Sequence, residues 1–504
     1  MRRKITWLAT LLLALAMVSA APAAWAAPGD VPASQGFRKA VTVAGIREHQ
    51  AAWQAIADAN GGNRAAGTSG YDASAEYVAK QMAAAGYEVR FQEFTFGRFR
   101  EAGAPELARL TPTAKTYITP ADFRAFTGSG EATGEVVPID VRMPPTGGST
   151  SACEADDFLK TPGWNDGDIA LVQRGTCPYV QKAATAQAAG AAGLILYNEG
   201  DTPARLDVPG NLPLGAEGIH IPGVGTSFAV GQEFFDLYEA NPPGSVTARV
   251  ETNLVEDRIP TRNVIAETPG GDPDRVVVVG AHLDSVPAGP GINDNGSGSG
   301  TIMEIAEVYA AQNREPRNKL RFIWFGAEEL GLLGSAHYVA SLSVEARQDI
   351  IGMLNFDMLG SPNFVRFVYD GDGSAGLVGG AGPPGSAYIE GVFLEYFAAV
   401  GLVTDPTAFD GRSDYGPFIA AGVDIPAGGL FSGAEAPKTQ AQVDRYGGLL
   451  GAQLDPCYHA VCDTFAGTGD GAGATPPGRA LVSLDQLSDA AAHAVLTLSK
   501  TKSL

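Results

Sequence analysis

Positive charge is scarce in this 504-residue sequence, which has 35 Lys and Arg against 56 Asp and Glu and a formal net charge of −21. A surface this acidic repels phosphate backbones and anionic lipids, which argues against nucleic acids and membrane surfaces as partners. Charged residues of both signs make up only 18% of the chain, while 64 Gly and 33 Pro indicate many loops. The composition excludes a long coiled coil and favours a globular protein.

Several catalytic and binding motifs are also missing. The sequence has neither the G-x-S-x-G segment of the α/β serine hydrolases nor the H-E-x-x-H segment of zinc proteases with a helical motif. The glycine-rich segment at residues 291–300 fits neither G-x-x-x-x-G-K-[ST] nor G-x-G-x-x-G. The sequence therefore lacks the signatures of serine hydrolases, single-ion helical zinc proteases and nucleotide-binding loops.

The N-terminus has the pattern of a secretory signal peptide. Three cations at positions 2–4 precede an apolar run over residues 5–18, and an A-x-A cleavage pattern ends at Ala26. The run is shorter than the roughly 20 residues that a membrane-spanning helix needs. We therefore predict a signal peptide over residues 1–26 and a secreted, extracellular protein with no membrane span in its mature form.

The chain has only four cysteines. Export to an oxidising compartment permits disulfides, and four cysteines allow three pairings. We expect cysteines close in sequence to pair, so that Cys153 is bonded to Cys177 and Cys457 to Cys462.

The second half of the sequence predicts an α/β fold. Apolar, largely β-branched runs at residues 262–267, 275–280, 320–325 and 350–356 are typical of strands covered on both faces, and helical patterns lie at about 300–312 and 331–342. We expect a mixed, mostly parallel central sheet flanked by helices. Short strands between residues 134 and 197 indicate a small β-rich α+β domain inserted into it. Ser483 and Gln486 form a capping box that predicts the start of a C-terminal helix.

Potential metal ligands follow the strong strands of the second half. His282, the pair Glu328 and Glu329, and Asp357 each come just after one of these runs. Because ligands of open α/β sheets bind beyond the carboxyl ends of the strands, these side chains can converge. Asp294 in the glycine-rich segment and His459 between two cysteines complete a set of two imidazoles and three carboxylates, counting one of the glutamate pair. Such a set suits two zinc ions with one bridging carboxylate.

Five ordered segments resemble the secreted double-zinc aminopeptidases of the leucine-preferring bacterial type. The segments are Gly280-Ala281-His282-Leu283-Asp284-Ser285, Asn293-Asp294-Asn295-Gly296-Ser297-Gly298, Gly326-Ala327-Glu328-Glu329-Leu330-Gly331, Asn355-Phe356-Asp357-Met358, and Tyr458-His459 followed by Cys462-Asp463-Thr464. The resemblance covers about residues 36–119 and 262–499. It implies that His282, Asp294 and Asp357 hold one zinc ion and that Asp294, Glu329 and His459 hold the other.

The part of the sequence between these two ranges resembles a different family. Residues 168–177, Lys182, residues 189–193 and residues 196–198 are similar to a protease-associated domain, which is non-catalytic in the families that carry it. We place this domain at residues 120–255, and the discontinuous zinc peptidase domain at residues 36–119 and 256–504.

The first resemblance also implies roles for residues around the metal ions. Glu328 would be the general base, Tyr458 would stabilise the oxyanion, and Asp284 would accept a hydrogen bond from a ligand imidazole. Arg412 would position the substrate. Phe431 would line an apolar pocket for the first residue of the substrate, together with Tyr415 and Phe418.

The expected reaction is removal of bulky hydrophobic N-terminal residues from peptides with a free N-terminus by a monomeric enzyme that uses two zinc ions. The sequence leaves a calcium ion open as well. The alternatives are a carboxypeptidase or another amide hydrolase on the same scaffold, and a binding homologue that has lost its metal ions. The presence of all five ligands argues against the binding homologue, and the shortage of basic candidates for a free carboxylate argues against the carboxypeptidase.

Overall fold

The computed structural model describes residues 31–470 and 475–502. The predicted signal peptide, residues 1–26, lies outside the described residues. Contacts divide the chain into an inserted unit, Thr95–Pro260, and a large unit formed by the described residues on either side of it. The predicted insertion of residues 120–255 falls within the inserted unit, and its limits stay a prediction. Among the described residues, no helix combines the length and the apolar character needed to cross a membrane.

The helices, in chain order, are α1 Val31–Arg38, α2 Val43–Ala59, α3 Ser69–Ala84, α4 Ala155–Leu159, α5 Tyr179–Ala188, α6 Phe228–Ala240, α7 Gly296–Ala311, α8 Leu333–Ser341, α9 Val344–Gln348, α10 Ser386–Ala399, α11 Gly416–Ile419, α12 Gln440–Tyr446, α13 Phe465–Asp470 and α14 Arg479–Leu498.

The strands are β1 Glu88–Glu101, β2 Glu106–Thr111, β3 Lys115–Thr116, β4 Phe123–Thr127, β5 Gly130–Pro138, β6 Ile169–Gln173, β7 Gly193–Tyr197, β8 Gly223–Thr226, β9 Thr247–Thr252, β10 Leu254–Glu267, β11 Asp272–His282, β12 Asn318–Phe325, β13 Ile350–Asp357, β14 Phe367–Tyr369, β15 Asp405–Thr407 and β16 Ala427–Phe431.

The sheet of the large unit is mixed and mostly parallel, as the sequence predicted. Its strand order is β1-β10-β12-β11-β13-β16-β14-β15. The central strands β12, β11, β13 and β16 are parallel, whereas β10 pairs with β12 and β14 pairs with β16 in antiparallel fashion. Parallel central strands require crossover connections, and helices of the large unit provide them.

Both faces of this sheet are buried, and β11 shows why its sequence is continuously apolar. Val277 and Val279 belong to the core cluster that includes Ile302 and Ile305 of α7. Val276 and Val278, which point to the other face, belong to the cluster that includes Tyr338 of α8 and Phe418 of α11. Alternate side chains of the strand thus enter two separate cores, and a polar residue at any of these positions would be buried.

The strand register brings the carboxyl ends of the central strands to one edge. His282 at the end of β11 pairs with Phe325 at the end of β12. Asp357 at the end of β13 pairs with Phe431 at the end of β16. The loops after these strands therefore start at a common edge of the sheet.

The inserted unit has its own eight-stranded sheet and its own core. The strand order is β3-β2-β9-β5-β6-β7-β8-β4, with β5, β6, β7 and β8 parallel to one another. The predicted disulfide between Cys153 and Cys177 is present, with 5.8 Å between the Cα atoms. The small α+β domain expected in this part of the chain is confirmed.

The predicted start of the C-terminal helix is wrong. Helix α14 begins at Arg479 with Gly478 as its N-cap, so Ser483 lies inside the helix. The Ser483 side chain is buried and donates a hydrogen bond to the carbonyl of Leu359 at 2.9 Å. A serine followed three residues later by glutamine has the spacing of a capping box, but here the serine hydroxyl has a tertiary partner.

Candidate active site

Five potential ligands meet at the carboxyl edge of the large unit's sheet. His282 ends β11, Asp357 ends β13, and Glu329 lies in the loop after β12. Asp294 lies just before α7. His459 lies in the short loop closed by the predicted disulfide between Cys457 and Cys462, which is present with 5.3 Å between the Cα atoms.

The five side chains form two groups that share Asp294. The Nε2 atom of His282 is 3.2 Å from Asp294 Oδ1 and 3.4 Å from Asp357 Oδ1. The Nε2 atom of His459 is 3.3 Å from Asp294 Oδ2 and 2.9 Å from Glu329 Oε2. Within each group the potential ligand atoms lie within 4.8 Å of one another. These are the same two groups that the family resemblance implies.

The donor set fits divalent cations. Among the described residues, Asp294 Oδ2, Glu329 Oε1 and Asp357 Oδ1 are buried without a hydrogen-bond partner. Unpaired buried carboxylate oxygens are costly unless a cation satisfies them. Imidazole nitrogens together with carboxylate oxygens are ligands that zinc prefers, and neither group includes a cysteine.

The electrostatics of the cluster also favour positive charge. Burial opposes protonation of His459, yet its contacts with Asp294 and Glu329 raise the pKa of its imidazole to about 10. Burial likewise opposes the charged form of His282, but the neighbouring carboxylates of Glu328 and Asp357 raise its pKa well above the usual value. For Asp294, burial is outweighed by the two imidazoles, and its pKa is lowered. Excess negative charge therefore favours the binding of cations at this edge of the sheet.

Glu328 lies beside the two groups without belonging to either. Its Oε2 atom is 4.0 Å from His282 Nε2. Burial raises the pKa of Glu328 well above its usual value, and the charge of Asp357 raises it further. A carboxyl group that is not a ligand, but that sits next to the ligands with a raised pKa, has the properties of a general base or acid.

The Asp284 carboxylate does not make the hydrogen bond to the ligand imidazole that the sequence predicted. His282 Nδ1 is 3.1 Å from the main-chain carbonyl of Asp284, whereas the nearest Asp284 carboxylate oxygen is 3.7 Å away. The carboxylate instead accepts hydrogen bonds from the main-chain N–H groups of Glu328 and Glu329, at 3.1 and 3.4 Å. Asp284 therefore contacts the imidazole through its main chain, and it holds the loop that carries Glu328 and Glu329 through its side chain.

Two residues that sequence reasoning missed hold the Asp294 segment. The buried carboxylate of Asp463 accepts hydrogen bonds from the N–H groups of Asn293 and Asp294, at 2.7 and 2.9 Å. The fully buried guanidinium of Arg64 donates to the carbonyls of Pro290 and Gly291, both at 2.7 Å, and to that of Leu283. Asp463 belongs to a segment that supported the family resemblance, but nothing local to Arg64 signals its role.

Ser413 is a third missed residue. Its hydroxyl donates a 2.6 Å hydrogen bond to Asp357 Oδ2 and accepts one from the side-chain amide of Asn355 at 2.8 Å. These two hydrogen bonds fix Oδ2 of Asp357 and leave its Oδ1 facing His282 and Asp294. Ser413 directly follows Arg412, but the sequence analysis assigned a role only to the arginine.

The cleft over the two ligand groups is lined by both polar and apolar residues. Its apolar or partly apolar lining comprises Met358, Tyr369, Ala408, Phe431 and Ala434, and Arg412, Tyr458 and the two imidazoles also line it. The ring of Phe431 stacks on Phe367, with 5.8 Å between the ring centres.

Tyr458 and Arg412 lie next to each other in the lining of this cleft. The ring of Tyr458 stacks on His459 with 3.8 Å between the ring centres, and its hydroxyl is 3.4 Å from Arg412 Nη2. Arg412 Nη1 is 2.9 Å from Glu435 Oε1. The arrangement brings a phenolic hydroxyl and a cation together beside the metal groups.

Two expected pocket residues do not line the cleft. Tyr415 is fully buried, and its hydroxyl donates to Asp410 and accepts from the N–H of Gly411, each at 2.9 Å. Phe418 packs in the core against Phe325, with 6.2 Å between the ring centres. Both follow Arg412 in sequence, but Phe418 in α11 and Tyr415 just before this helix belong to a core cluster instead.

Comparisons with known proteins agree with this geometry. Residues 263–472 match peptidase family M28, and residues 132–234 match the PA domain. An aminopeptidase of Pseudomonas aeruginosa is 46% identical over 418 residues, which cover 82% of this chain and 74% of that protein. Leucine aminopeptidase 2 of Trichophyton rubrum is 41% identical over 416 residues, which cover 81% of this chain and 77% of that protein.

Solved structures share the fold. An aminopeptidase from Aneurinibacillus sp. strain AM-1 aligns over 94% of this chain and 97% of its own, with a TM-score of 0.66 and 24% identity. A zinc aminopeptidase from Bacillus subtilis aligns over 89% of this chain and 94% of its own, with a TM-score of 0.55 and 24% identity.

The fold and the site thus define a metal-dependent hydrolase. The chain belongs to peptidase family M28, as a metallo-aminopeptidase that carries a PA domain.

The contact between Ser413 and Asp357 generates a prediction. Ser413→Ala removes a hydrogen bond that orients a ligand carboxylate, and loss of such supporting contacts typically costs about 10- to 100-fold in metal affinity. We expect the variant to fold and to lose zinc at correspondingly lower chelator concentration, measured by metal analysis after dialysis. The matched control is Ser341→Ala, which changes an exposed serine. Zinc retention equal to that of the unmodified chain would show that Ser413 does not support the site.

Proposed function

We propose that this chain is a secreted, monomeric aminopeptidase that uses two zinc ions to remove bulky hydrophobic N-terminal residues from peptides. The observation that carries the proposal is the pair of ligand groups joined at Asp294 beside a non-ligand carboxyl, Glu328. The zinc aminopeptidase from Bacillus subtilis that shares this fold supports the choice of metal. The relatives named leucine aminopeptidase 2 support the preference for an apolar residue.

His282, Asp294 and Asp357 would hold one zinc ion, and Asp294, Glu329 and His459 the other. When bound, such ions polarise the scissile carbonyl and lower the pKa of the attacking water. Glu328 takes the proton from that water and passes it to the leaving amine, for which a raised pKa is an advantage.

The Tyr458 hydroxyl donates a hydrogen bond to the developing oxyanion. Burial and nearby carboxylates raise the pKa of this hydroxyl, so it keeps its proton at neutral pH. Arg412, which lies 3.4 Å from the same hydroxyl, helps to position the substrate.

The charges of the cleft favour binding of the substrate's free α-amine over binding of its free α-carboxylate. Glu328 and Asp357 face the cleft and can attract a free α-amine. Among the described residues that line the cleft, Arg412 is the one lysine or arginine, and it is paired with Glu435. A carboxypeptidase needs an unpaired cation for the α-carboxylate. The apolar lining residues Phe431 and Met358 suit a bulky first side chain of the substrate.

Two disulfides support an extracellular location, because such bonds persist in oxidising compartments. The Ala26 cleavage pattern supports the same conclusion.

Replacing Glu328 distinguishes the role of a general base from that of a metal ligand. Glu328→Gln should lower kcat by about 10² to 10⁴ while zinc content stays unchanged, because general acid/base catalysis contributes that much and Glu328 is in neither ligand group. Turnover of Leu-p-nitroanilide and metal analysis on the same sample measure both effects. The control, Glu345→Gln, removes an exposed carboxylate that belongs to neither ligand group and is not among the cleft lining residues, and it should change neither. Normal turnover in zinc-loaded Glu328→Gln would assign the base to another group.

The substrate preference is tested with four p-nitroanilides. Each buried methylene contributes about 0.8 kcal/mol, so kcat/KM for the Leu substrate should exceed that for Ala by roughly 10- to 200-fold. We expect Phe431→Ala to reduce this ratio and acetyl-Leu-p-nitroanilide to remain uncut, since it has no free amine. Highest activity on the Lys substrate would disprove the apolar pocket. Cleavage of the acetylated substrate would disprove the requirement for a free N-terminus.

A further inference from the structure

Another cluster of potential metal ligands lies where α2 meets α7, and it shares no residue with the ligand groups of the active site. His49 lies in α2, and Glu304 and Glu307 lie one helical turn apart in α7. One ligand atom from each residue can be chosen so that all three lie within 4.8 Å of one another. The cluster therefore combines one imidazole with two carboxylates from two different helices.

The imidazole of His49 is buried with an unpaired nitrogen. Its side chain is 5% exposed, and Nε2 has no hydrogen-bond partner among the described residues. Leaving a buried polar atom unpaired is costly. This nitrogen lies 3.6 Å from Glu307 Oε2, which is too far for a hydrogen bond. A ligand between the two atoms would satisfy both.

The second ring nitrogen of His49 has the kind of partner that a metal-bound imidazole uses. Nδ1 is 2.9 Å from the hydroxyl of Tyr77, and this hydroxyl also accepts a hydrogen bond from Gln81 at 3.3 Å. Imidazoles that bind metal ions almost always donate a hydrogen bond through their other nitrogen. With the proton on Nδ1, the lone pair of Nε2 is available to a cation.

The carboxylate of Glu304 is held in place through one of its oxygens. Its Oε1 accepts hydrogen bonds from the N–H and the hydroxyl of Thr42, at 3.1 and 3.2 Å. Gly45 makes room for this carboxylate, because a Cβ atom at position 45 would lie 2.3 Å from the carboxyl atoms. The contacts with Thr42 orient Glu304 and leave its Oε2 for an ion.

The chain supplies little positive charge to this cluster. Among the described residues, Glu307 has His49 as its ion-pair partner, and no lysine or arginine pairs with either glutamate. Burial raises the pKa of the Glu304 carboxyl, and the charge of Glu307 adds to the increase, although contacts with Thr42 and His49 oppose it. The Glu307 side chain is 33% exposed, so an ion can enter from the solvent.

The chemistry of the cluster selects the ion. One imidazole nitrogen with two carboxylate oxygens suits zinc, whereas calcium takes oxygen ligands alone. Two ligand atoms of a tetrahedral zinc ion lie about 3.4 Å apart, because each bond is roughly 2.0–2.2 Å long. The distance of 3.6 Å between His49 and Glu307 is close to this value. Three protein ligands leave the fourth position for a water molecule.

We propose that His49, Glu304 and Glu307 bind one zinc ion in addition to any held by the catalytic groups. None of the three residues lines the cleft, so this ion does not touch the substrate. It joins α2 to α7, whose apolar side chains already share a core. The site is structural and does not depend on the number of catalytic ions.

Both helices support the segment that carries Asp294. Helix α7 begins at Gly296, two residues after Asp294. Gln50, the neighbour of His49 in α2, donates a hydrogen bond to the carbonyl of Ile292 at 2.8 Å. An ion between α2 and α7 therefore stabilises the two helices that hold this part of the catalytic edge.

Native mass spectrometry of the full mature chain across a zinc titration tests the proposal. The unmodified chain should bind one zinc ion more than Glu307→Gln or His49→Gln, whatever number the catalytic groups hold. Loss of a ligand should weaken this ion at least tenfold, since even supporting contacts typically contribute about 10- to 100-fold in metal affinity. Tyr77→Phe, which removes the hydroxyl beside Nδ1, should weaken it by about 10- to 100-fold.

Thermal unfolding gives a second measurement. Zinc at 100 times the dissociation constant of this site should raise Tm by about 3 to 6 °C more in the unmodified chain than in Glu307→Gln. Turnover of Leu-p-nitroanilide by zinc-loaded Glu307→Gln should equal that of the unmodified chain. Failure of the proposed aminopeptidase activity would therefore be seen separately from failure of this site.

The matched controls are Glu315→Gln and His220→Gln, which change an exposed glutamate and an exposed histidine and should leave zinc stoichiometry unchanged. Equal stoichiometry and affinity in the unmodified chain and Glu307→Gln would overturn the proposal and leave His49 and Glu307 as an ion pair without metal. Because Glu307 is partly exposed, that variant carries the test if His49→Gln fails to fold.

Discussion

The concentration of negative charge at one edge of the sheet is the constraint on which the rest of the site depends. Asp284, Asp294, Glu329 and Asp357 are drawn together there with Glu328, and most of them are buried. In the low-dielectric interior, such a cluster is stable only with compensating positive charge or protons. The imidazoles of the two groups take up part of this charge, and divalent cations are suited to take up the rest.

The surrounding structure holds this charge in place mainly through main-chain groups. The Asp463 carboxylate accepts hydrogen bonds from the main-chain N–H groups of the Asp294 segment. The Asp284 carboxylate accepts hydrogen bonds from those of Glu328 and Glu329. Arg64 adds a buried cation that donates to the carbonyls of Leu283, Pro290 and Gly291, which precede the Asp294 segment, and burial lowers its own pKa to about 10. Burial raises the pKa of Asp414 to about 7, although the charge of His282 lowers it, and the carboxylates of Asp357 and Asp284 add to the increase. The catalytic edge is thus held by parts of the chain far apart in sequence.

The parts that the sequence predicted are those set by local patterns. Strands buried on both faces are continuously apolar, so β11, β12 and β13 could be located, and the ligands directly after them followed from strand direction. The roles of Arg64 and Ser413 could not be predicted because their partners are distant in sequence, 219 to 227 residues away for Arg64. Tyr415 was misassigned because an aromatic residue near a cleft and one in a core look alike in sequence. Ser483 was misassigned because capping spacing does not reveal a tertiary partner.

The most direct test of the two-metal site is anomalous X-ray scattering at the zinc edge from crystals of the zinc-loaded chain. The account predicts two separate peaks, both in contact with Asp294. One of them would also contact His282 and Asp357, and the other Glu329 and His459. A single peak, or none, in metal-replete crystals would contradict the account.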